Sequence, residues 1–167
     1  MDVKNAFSEY EQDNNFVEVI RAPAIDAAQF QTKACRAMFE WWHAFAPDGP
    51  RYDAFDIVEH VDKAANLFLV AVLPDAEFEY RLHGDEVRRI LGYNCAGTVF
   101  SESRGTKDLR GFATFLTELC EQRTAYHSRG TLKDFGKSYL KFESFDFVLT
   151  DEQGTPTHII GVLVLNG

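Results

Sequence analysis

Leu67 to Leu73 is seven apolar residues in a row, with Asn66 before it and Pro74 after it. So short a run with no polar face suits a β-strand covered on both sides, because a strand half open to water alternates instead. Glu77 to His83 does alternate: Phe78, Tyr80 and Leu82 share one parity, and Glu77, Glu79, Arg81 and His83 the other. That is the pattern of a half-buried strand. Only Pro74-Asp75-Ala76 separates the two segments, so they are expected to pair as an antiparallel hairpin.

The flanking segments follow a helical period. Asp26 is an N-cap candidate with Gln29 three residues on, the spacing of a capping box. Phe30, Ala34, Ala37, Met38, Trp41 and Phe45 then form one stripe until Pro47-Asp48-Gly49-Pro50, which predicts a helix over 26–46. Trp42 widens its apolar face. A second helix is expected over 53–65, with Phe55, Val58 and Val61 inward. After the hairpin, Gly84 ends the strand, Asp85 caps a short helix carrying Val87, Ile90 and Leu91, and Gly92 closes it. A loop from Tyr93 to Arg104 leads to a long helix over 106–123, with Leu109, Phe112, Leu116, Leu119 and Cys120 inward.

Three strands are expected to finish the chain: Thr124 to Gly130, Ser138 to Thr150 and Thr157 to Leu165. In the middle one the apolar parity slips, from Leu140 and Phe142 to Phe145, Phe147 and Leu149. One inserted residue flips all later side chains, so a bulge is predicted near Ser144. Thr157 to Leu165 wants cover on both faces. Hairpin-linked strands imply a mostly antiparallel sheet with helices on one side, an α+β domain. It is expected over 26–167, with leading helices. Residues 1–25 are set apart as a partly irregular segment with a break at Asp13-Asn14-Asn15. Within that segment Phe16, Val17, Val19 and Ile20 suit a short strand or a docking segment.

The chain of 167 residues is 46% hydrophobic with fifteen Phe, the make-up of one globular unit with an aromatic core. Its formal net charge is −9, and the densest basic stretch, Arg81 to Arg89, is interrupted by Asp85 and Glu86. That argues against nucleic acid, which needs a basic stripe to displace counterions. Asp2, Glu9, Glu11, Asp13 and Glu18 crowd the first twenty residues, unlike a signal peptide. No run reaches the ~18 apolar residues of a membrane span. Cys35, Cys95 and Cys120 lie far apart with no CxxC pair, as reduced thiols of a cytoplasmic protein do.

The element order, together with Phe78-Glu79-Tyr80-Arg81-Leu82-His83-Gly84 followed by Gly92 and Gly97-Thr98, resembles the PAS domain, in particular a stand-alone bacterial PAS subfamily. Phe142-Glu143, the closing hairpin from Asp151 to Leu165, and a leading stretch with Trp41, Pro50 and Arg51 are similar too, so that the resemblance spans about 28–166. It implies a five-stranded antiparallel sheet over a pocket, short helices, one long connecting helix, and a role in sensing and signal relay. Output is expected through another protein.

Under that resemblance the pocket is expected to be lined by Tyr80, Leu82, Ile90, Phe112, Phe115, Leu116, Phe142 and Ile160, for a small apolar or aromatic ligand; the other reading is that these side chains simply fill the core. A partner face is expected on Phe30, Met38, Trp41, Trp42 and Phe45, as a homodimer helix, unless that helix packs on its own domain. The cofactor is left unassigned. Flavin PAS domains carry an Asn-Cys-Arg-Phe-Leu-Gln run whose thiol bonds the flavin; Asn94-Cys95-Ala96-Gly97-Thr98 lacks its Arg. Haem PAS domains offer a His from the long helix, and 106–123 contains none. His43, His60, His83, His127 and His158 show no metal-ligand spacing. His83 and His158 are expected to face solvent or bond to neighbours. The enzymatic alternative is a general base, Asp146 or Glu143, in an apolar pocket, although a regular strand turns Asp146 away from Phe145 and Phe147 and is expected to leave it solvated.

Overall fold

The computed structural model describes residues 16–92, 94–133 and 139–166, with Tyr139 described in its backbone alone. The break at Asp13-Asn14-Asn15, Tyr93 and the expected strand start at Ser138 lie outside these residues. Among the described residues seven strands form one sheet: β1 (Phe16–Pro23), β2 (Leu67–Leu73), β3 (Glu77–His83), β4 (Val99–Phe100), β5 (Tyr126–Lys133), β6 (Tyr139–Thr150) and β7 (Pro156–Leu165). Their order is β1-β5-β6-β7-β2-β3-β4, and every neighbouring pair is antiparallel. The β2–β3 hairpin and the β5-β6-β7 meander meet where β7 pairs with β2.

The five expected strands are the middle five of the sheet. At one edge β4 adds a two-residue pairing to Phe78 and Glu79. At the other, β1 runs along β5 from Phe16↔Leu132 to Pro23↔Tyr126. Thus Phe16–Pro23, grouped from the sequence with an irregular N-terminal segment, belongs to the sheet. Gly130 permits this: a Cβ there would overlap the Glu18 backbone, a close approach that only Gly allows.

Three α-helices cover the sheet: α1 (Lys33–His43), α2 (Asp85–Leu91) and α3 (Lys107–Gln122). They lie on both faces, not on one. The inner core joins Phe68, Val70, Phe78, Tyr80, Phe142, Ile159 and Leu163 of the sheet to Val87 and Leu91 of α2 and to Leu109, Ala113, Phe115, Leu116 and Leu119 of α3. An outer core joins Leu67, Phe145, Phe147, Leu149, Ile160 and Val162 to Phe30, Cys35, Met38 and Phe39. Two covered faces explain why β2 throughout and β7 from Ile159 onward carry no polar side chains. Each large side chain buried this way contributes about 1.5–3 kcal/mol.

Several expected elements need correction. The helix foreseen over 26–46 is broken. The Asp26–Gln29 capping box forms, but around a single 3₁₀ turn, Ala27–Gln29, after which Phe30 is extended. The α-helix then starts anew with Thr32 as its cap, because Glu143 of β6 accepts from the backbone N–H of both Gln31 and Thr32 at 2.8 Å. The segment expected as a helix over 53–65 is wound as 3₁₀ turns, Tyr52–Ala54 and Ile57–Asn66. The winding is interrupted at His60, whose backbone is non-helical. His60 is the buried residue, while Val58 and Val61 are each 73% exposed instead of inward.

The alternation of β3 is also interrupted. Leu69 pairs with Leu82 but Val70 with Tyr80, so Arg81 is bulged out. Leu82 is thereby carried to the outer core, and His83 is buried, meeting the second of its two expected settings, a hydrogen bond to a neighbour, through the Cys95 N–H. The bulge predicted near Ser144 does not exist: β6 pairs without a register shift from Tyr139 through Leu149. Its parity slip has another cause, two polar residues, Ser144 and Asp146, on the inner face. The α2 cap is Gly84, not Asp85, while Gly92 closes the helix at φ +87° as expected.

Candidate ligand-binding site

Between the inner face of the sheet and helices α2 and α3 lies a cavity of about 300 Å³. Its position follows from where the sheet lacks side chains. Gly161 of β7 lies against the Phe68 ring and the Asp146 carboxyl, and any Cβ there would overlap both. On α3, Gly111 faces open space where another residue would project a side chain. Most of the wall is apolar, with Phe68, Leu91, Phe112, Phe142 and Leu163 its larger members.

One end is polar. The register places Arg21 of β1 opposite Ser128 of β5, and Ser128 opposite Ser144 of β6. Asp146 stands one inward step along β6, and all four line the cavity. Ser144 Oγ donates to Asp146 Oδ1 at 2.9 Å. The Arg21 guanidinium lies 4.1 Å from the centre of the Phe115 ring, a cation–π contact. Ser128 is 3% exposed, and its hydroxyl has no hydrogen-bond partner among the described residues.

Asp146 is likewise only 3% exposed. Burial pushes its carboxyl up to about 7, against the opposing pull of the Ser144 hydroxyl, Arg21 and His127. The expectation of solvation is thus overturned: Asp146 does point away from Phe145 and Phe147, but into the cavity. Glu143 takes the opposite course. It is 1% exposed on the outer face, where burial alone would raise it, yet bonds from His127, Thr32 and Gln31 hold it down at about 2. His127 Nε2 donates to it at 2.9 Å. Three of its four donors, from Gln31 and Thr32, tie the start of α1 to the sheet.

Of the eight pocket residues expected from the sequence, Tyr80, Phe112 and Phe142 line the cavity. Leu82 and Ile160 belong to the outer core. Ile90 and Leu116 pack in the inner core away from the wall, where Val87 and Leu91 take the places on α2. Phe115 borders a second groove instead, shared with Arg21, Glu118 and Tyr126. Of the expected partner face, Phe30 and Met38 are buried against the chain's own sheet, so they offer nothing to a partner. Trp41 and Trp42 reach over Phe147 and Phe145 respectively, and Phe45 packs on Trp41. The polar lining residues absent from the expected pocket are Arg21, Ser128 and Ser144, with Lys107 and Asp108 at the start of α3, while Asp146 is expected from the sequence only as a candidate general base. Their signal was present at one point, polar residues interrupting the apolar parity of β6.

The lining includes no His and no Cys, so its side chains provide neither the usual axial ligand for haem nor a thiol for a flavin adduct. Cys95 is buried in the inner core beside His83, to whose Nδ1 its N–H donates at 3.2 Å. Among the described residues no helix is long and apolar enough to cross a membrane.

No family model matches the chain, and none of the curated proteins does. Among solved structures it is similar to an RNA-binding light-oxygen-voltage receptor, with a TM-score of 0.51 and 13% identity over 90% of this chain and 39% of the receptor chain. It also matches a sensory box histidine kinase/response regulator from Burkholderia thailandensis E264, with a TM-score of 0.38 and 16% identity over 66% of this chain and 84% of that one. The chain thus spans well under half of the receptor chain, and at 13% identity the likeness establishes fold alone. That fold is PAS-like: an α+β domain with an antiparallel sheet curled over a long crossing helix.

Proposed function

We propose that this PAS-like domain is a sensory module that holds a small, largely apolar molecule between the sheet and α3 and reports its occupancy to a protein partner. The observation that carries this reading is the cavity, apolar around most of its wall with a cluster of polar groups from β1, β5 and β6 and with Lys107 and Asp108 of α3. That arrangement orients a ligand while burying it. A route outward is built into β6: Asp146 faces the cavity, while its neighbours Phe145 and Phe147 pack under Trp42 and Trp41. A ligand that prefers one setting of β6 shifts the population of the outer layer by its differential affinity.

The partner is proposed to be a second copy of this chain, meeting it around Trp41, Trp42 and Phe45. Phe30 and Met38 drop out of that face. What supports the location is its apolar surroundings, since Trp41 packs on Phe55 and His60 in the segment that exposes Val58 and Val61. RNA binding belongs to the light-oxygen-voltage receptor; a chain of net charge −9 is a poor match for a polyanion. The acid–base reading of Asp146 is the alternative favoured by its burial. It predicts a chemically altered product from the bound molecule.

Native mass spectrometry of the purified chain, wild type against Leu163→Phe, is the test. Leu163 lines the cavity, and the larger ring fills it. The expected result is a bound small molecule in the wild type and none in a folded Leu163→Phe variant. The reading is overturned if both emerge empty and neither gains thermal stability from a panel of apolar acids, alcohols and amines.

A further inference from the structure

We propose that the polar end of the cavity is a carboxylate site, and that the ligand is an amphipathic monocarboxylic acid whose headgroup lies between Arg21 and Ser128. This rests on the reading of the cavity as a ligand site and adds the chemical class.

The donors and acceptors at that end are unequal. Arg21 brings only donors. Ser128 is a buried hydroxyl with no hydrogen-bond partner among the described residues, which is costly until a partner arrives. Ser144 is committed to Asp146. Asp146, kept neutral by its burial up to about pH 7, retains a carboxylic O–H, a third donor, and leaves the Arg21 charge uncancelled from that side. A carboxylate accepts and does not donate, and it matches a guanidinium in a two-bonded fork. An alcohol or amide would add a donor where donors already dominate. The apolar wall of Phe68, Leu91, Phe112, Phe142 and Leu163 takes the rest of the molecule, and its mix of rings and branched chains admits an aliphatic or an aromatic body.

Arg21 also borders the groove formed with Gly111, Thr114, Phe115 and Glu118 of α3. It therefore stands between the cavity and that groove, with Glu118 on the groove side.

Binding is coupled to a proton. An anion beside Asp146 favours its protonated form, so affinity falls as pH rises through about 7. The charged and titratable groups around Asp146 are Arg21 on β1, His127 on the far face of β5, and Lys107, Asp108 and Glu118 on α3. Toward it β7 and β2 present Gly161 and Phe68, neither of which titrates.

Titration calorimetry on the full chain with decanoate, decanamide, 2-naphthoate and 2-naphthamide, between pH 6 and 8, tests this. At least one acid is expected to bind about tenfold or more tighter than its amide, and which one tells an aliphatic from an aromatic ligand. Arg21→Gln is expected to remove the preference while leaving amide binding in place. Asp146→Asn is expected to keep acid binding but flatten its pH dependence. An amide bound as tightly as its acid, or an acid preference that survives Arg21→Gln, overturns the carboxylate site yet leaves a ligand cavity standing. Binding of none of the four overturns it as well, and the mass-spectrometric comparison with Leu163→Phe then decides the cavity separately.

Discussion

Replacing Asp146 with Asn changes one oxygen to nitrogen and removes one ionisation. In the unfolded chain this carboxyl titrates at its ordinary 3.8, whereas burial in the folded chain moves it to about 7. Below pH 3.8 both states are protonated and the group contributes no pH-dependent term. Between 3.8 and about 7 the unfolded state releases the proton while the folded state keeps it, so stability falls as pH rises; above about 7 the loss is complete. At about 1.36 kcal/mol for each pH unit, the gap comes to ~4 kcal/mol. Asn has no such titration and can still accept from Ser144. The variant is thus expected to match the wild type near pH 4 and to exceed it by up to ~4 kcal/mol at pH 8, about 10 °C in melting temperature for a chain of this size. Urea denaturation of both proteins across pH 4 to 9 gives the difference directly, and other titrating groups cancel in it. A difference that stays constant over that range refutes the reasoning, because it means that Asp146 ionises alike in both states.

Three further outcomes are expected. Glu143→Gln should cost about 2–3 kcal/mol at pH 7; since this group is held down at about 2, its stabilisation is present above 4.5 and lost on acidification, so the urea-measured gap to wild type closes between those values. Gly161→Ala should cost ~2 kcal/mol or more, because the new Cβ overlaps Phe68 and Asp146, and thermal melts should show ligand-induced stabilisation reduced as the Phe68 ring is pushed into the cavity. The double change Val58→Asp and Val61→Asp falls on side chains each 73% exposed. It should leave folding within about 0.5 kcal/mol while shifting sedimentation from dimer to monomer.

Patterns with a fixed period were readable from the sequence. The β2–β3 hairpin, the bounds of α3 within a residue and the closing meander all follow from apolar spacing, and the Asp26–Gln29 box formed as its chemistry predicts. What escaped depended on long-range contacts. No local pattern says that Glu143, more than a hundred residues away, holds the backbone of Gln31 and Thr32 just ahead of α1 and splits the helix expected from Asp26 onward. Bulging out Arg81 costs the strand one residue of alternation, and that exchange of Leu82 for His83 is invisible until β2 is paired. The parity slip near Ser144 is visible in the sequence, but its cause is not. Two polar residues turned toward a cavity give the same parity change as an inserted residue, and only the unshifted register of β6 tells them apart. Arg21 was the hardest to find, since its role requires a strand at the opposite end of the chain.

That last feature has a practical consequence for anyone trimming the protein. A version begun at Asp26, the start of the domain expected from the sequence, retains both hydrophobic layers but loses the guanidinium, and it uncovers the outer hydrogen-bonding edge of β5 along its whole length. Such a fragment would fold around a hollow open at one side, prone to capture a stray strand there, and a failure to respond to ligands would reflect the cut and not the molecule.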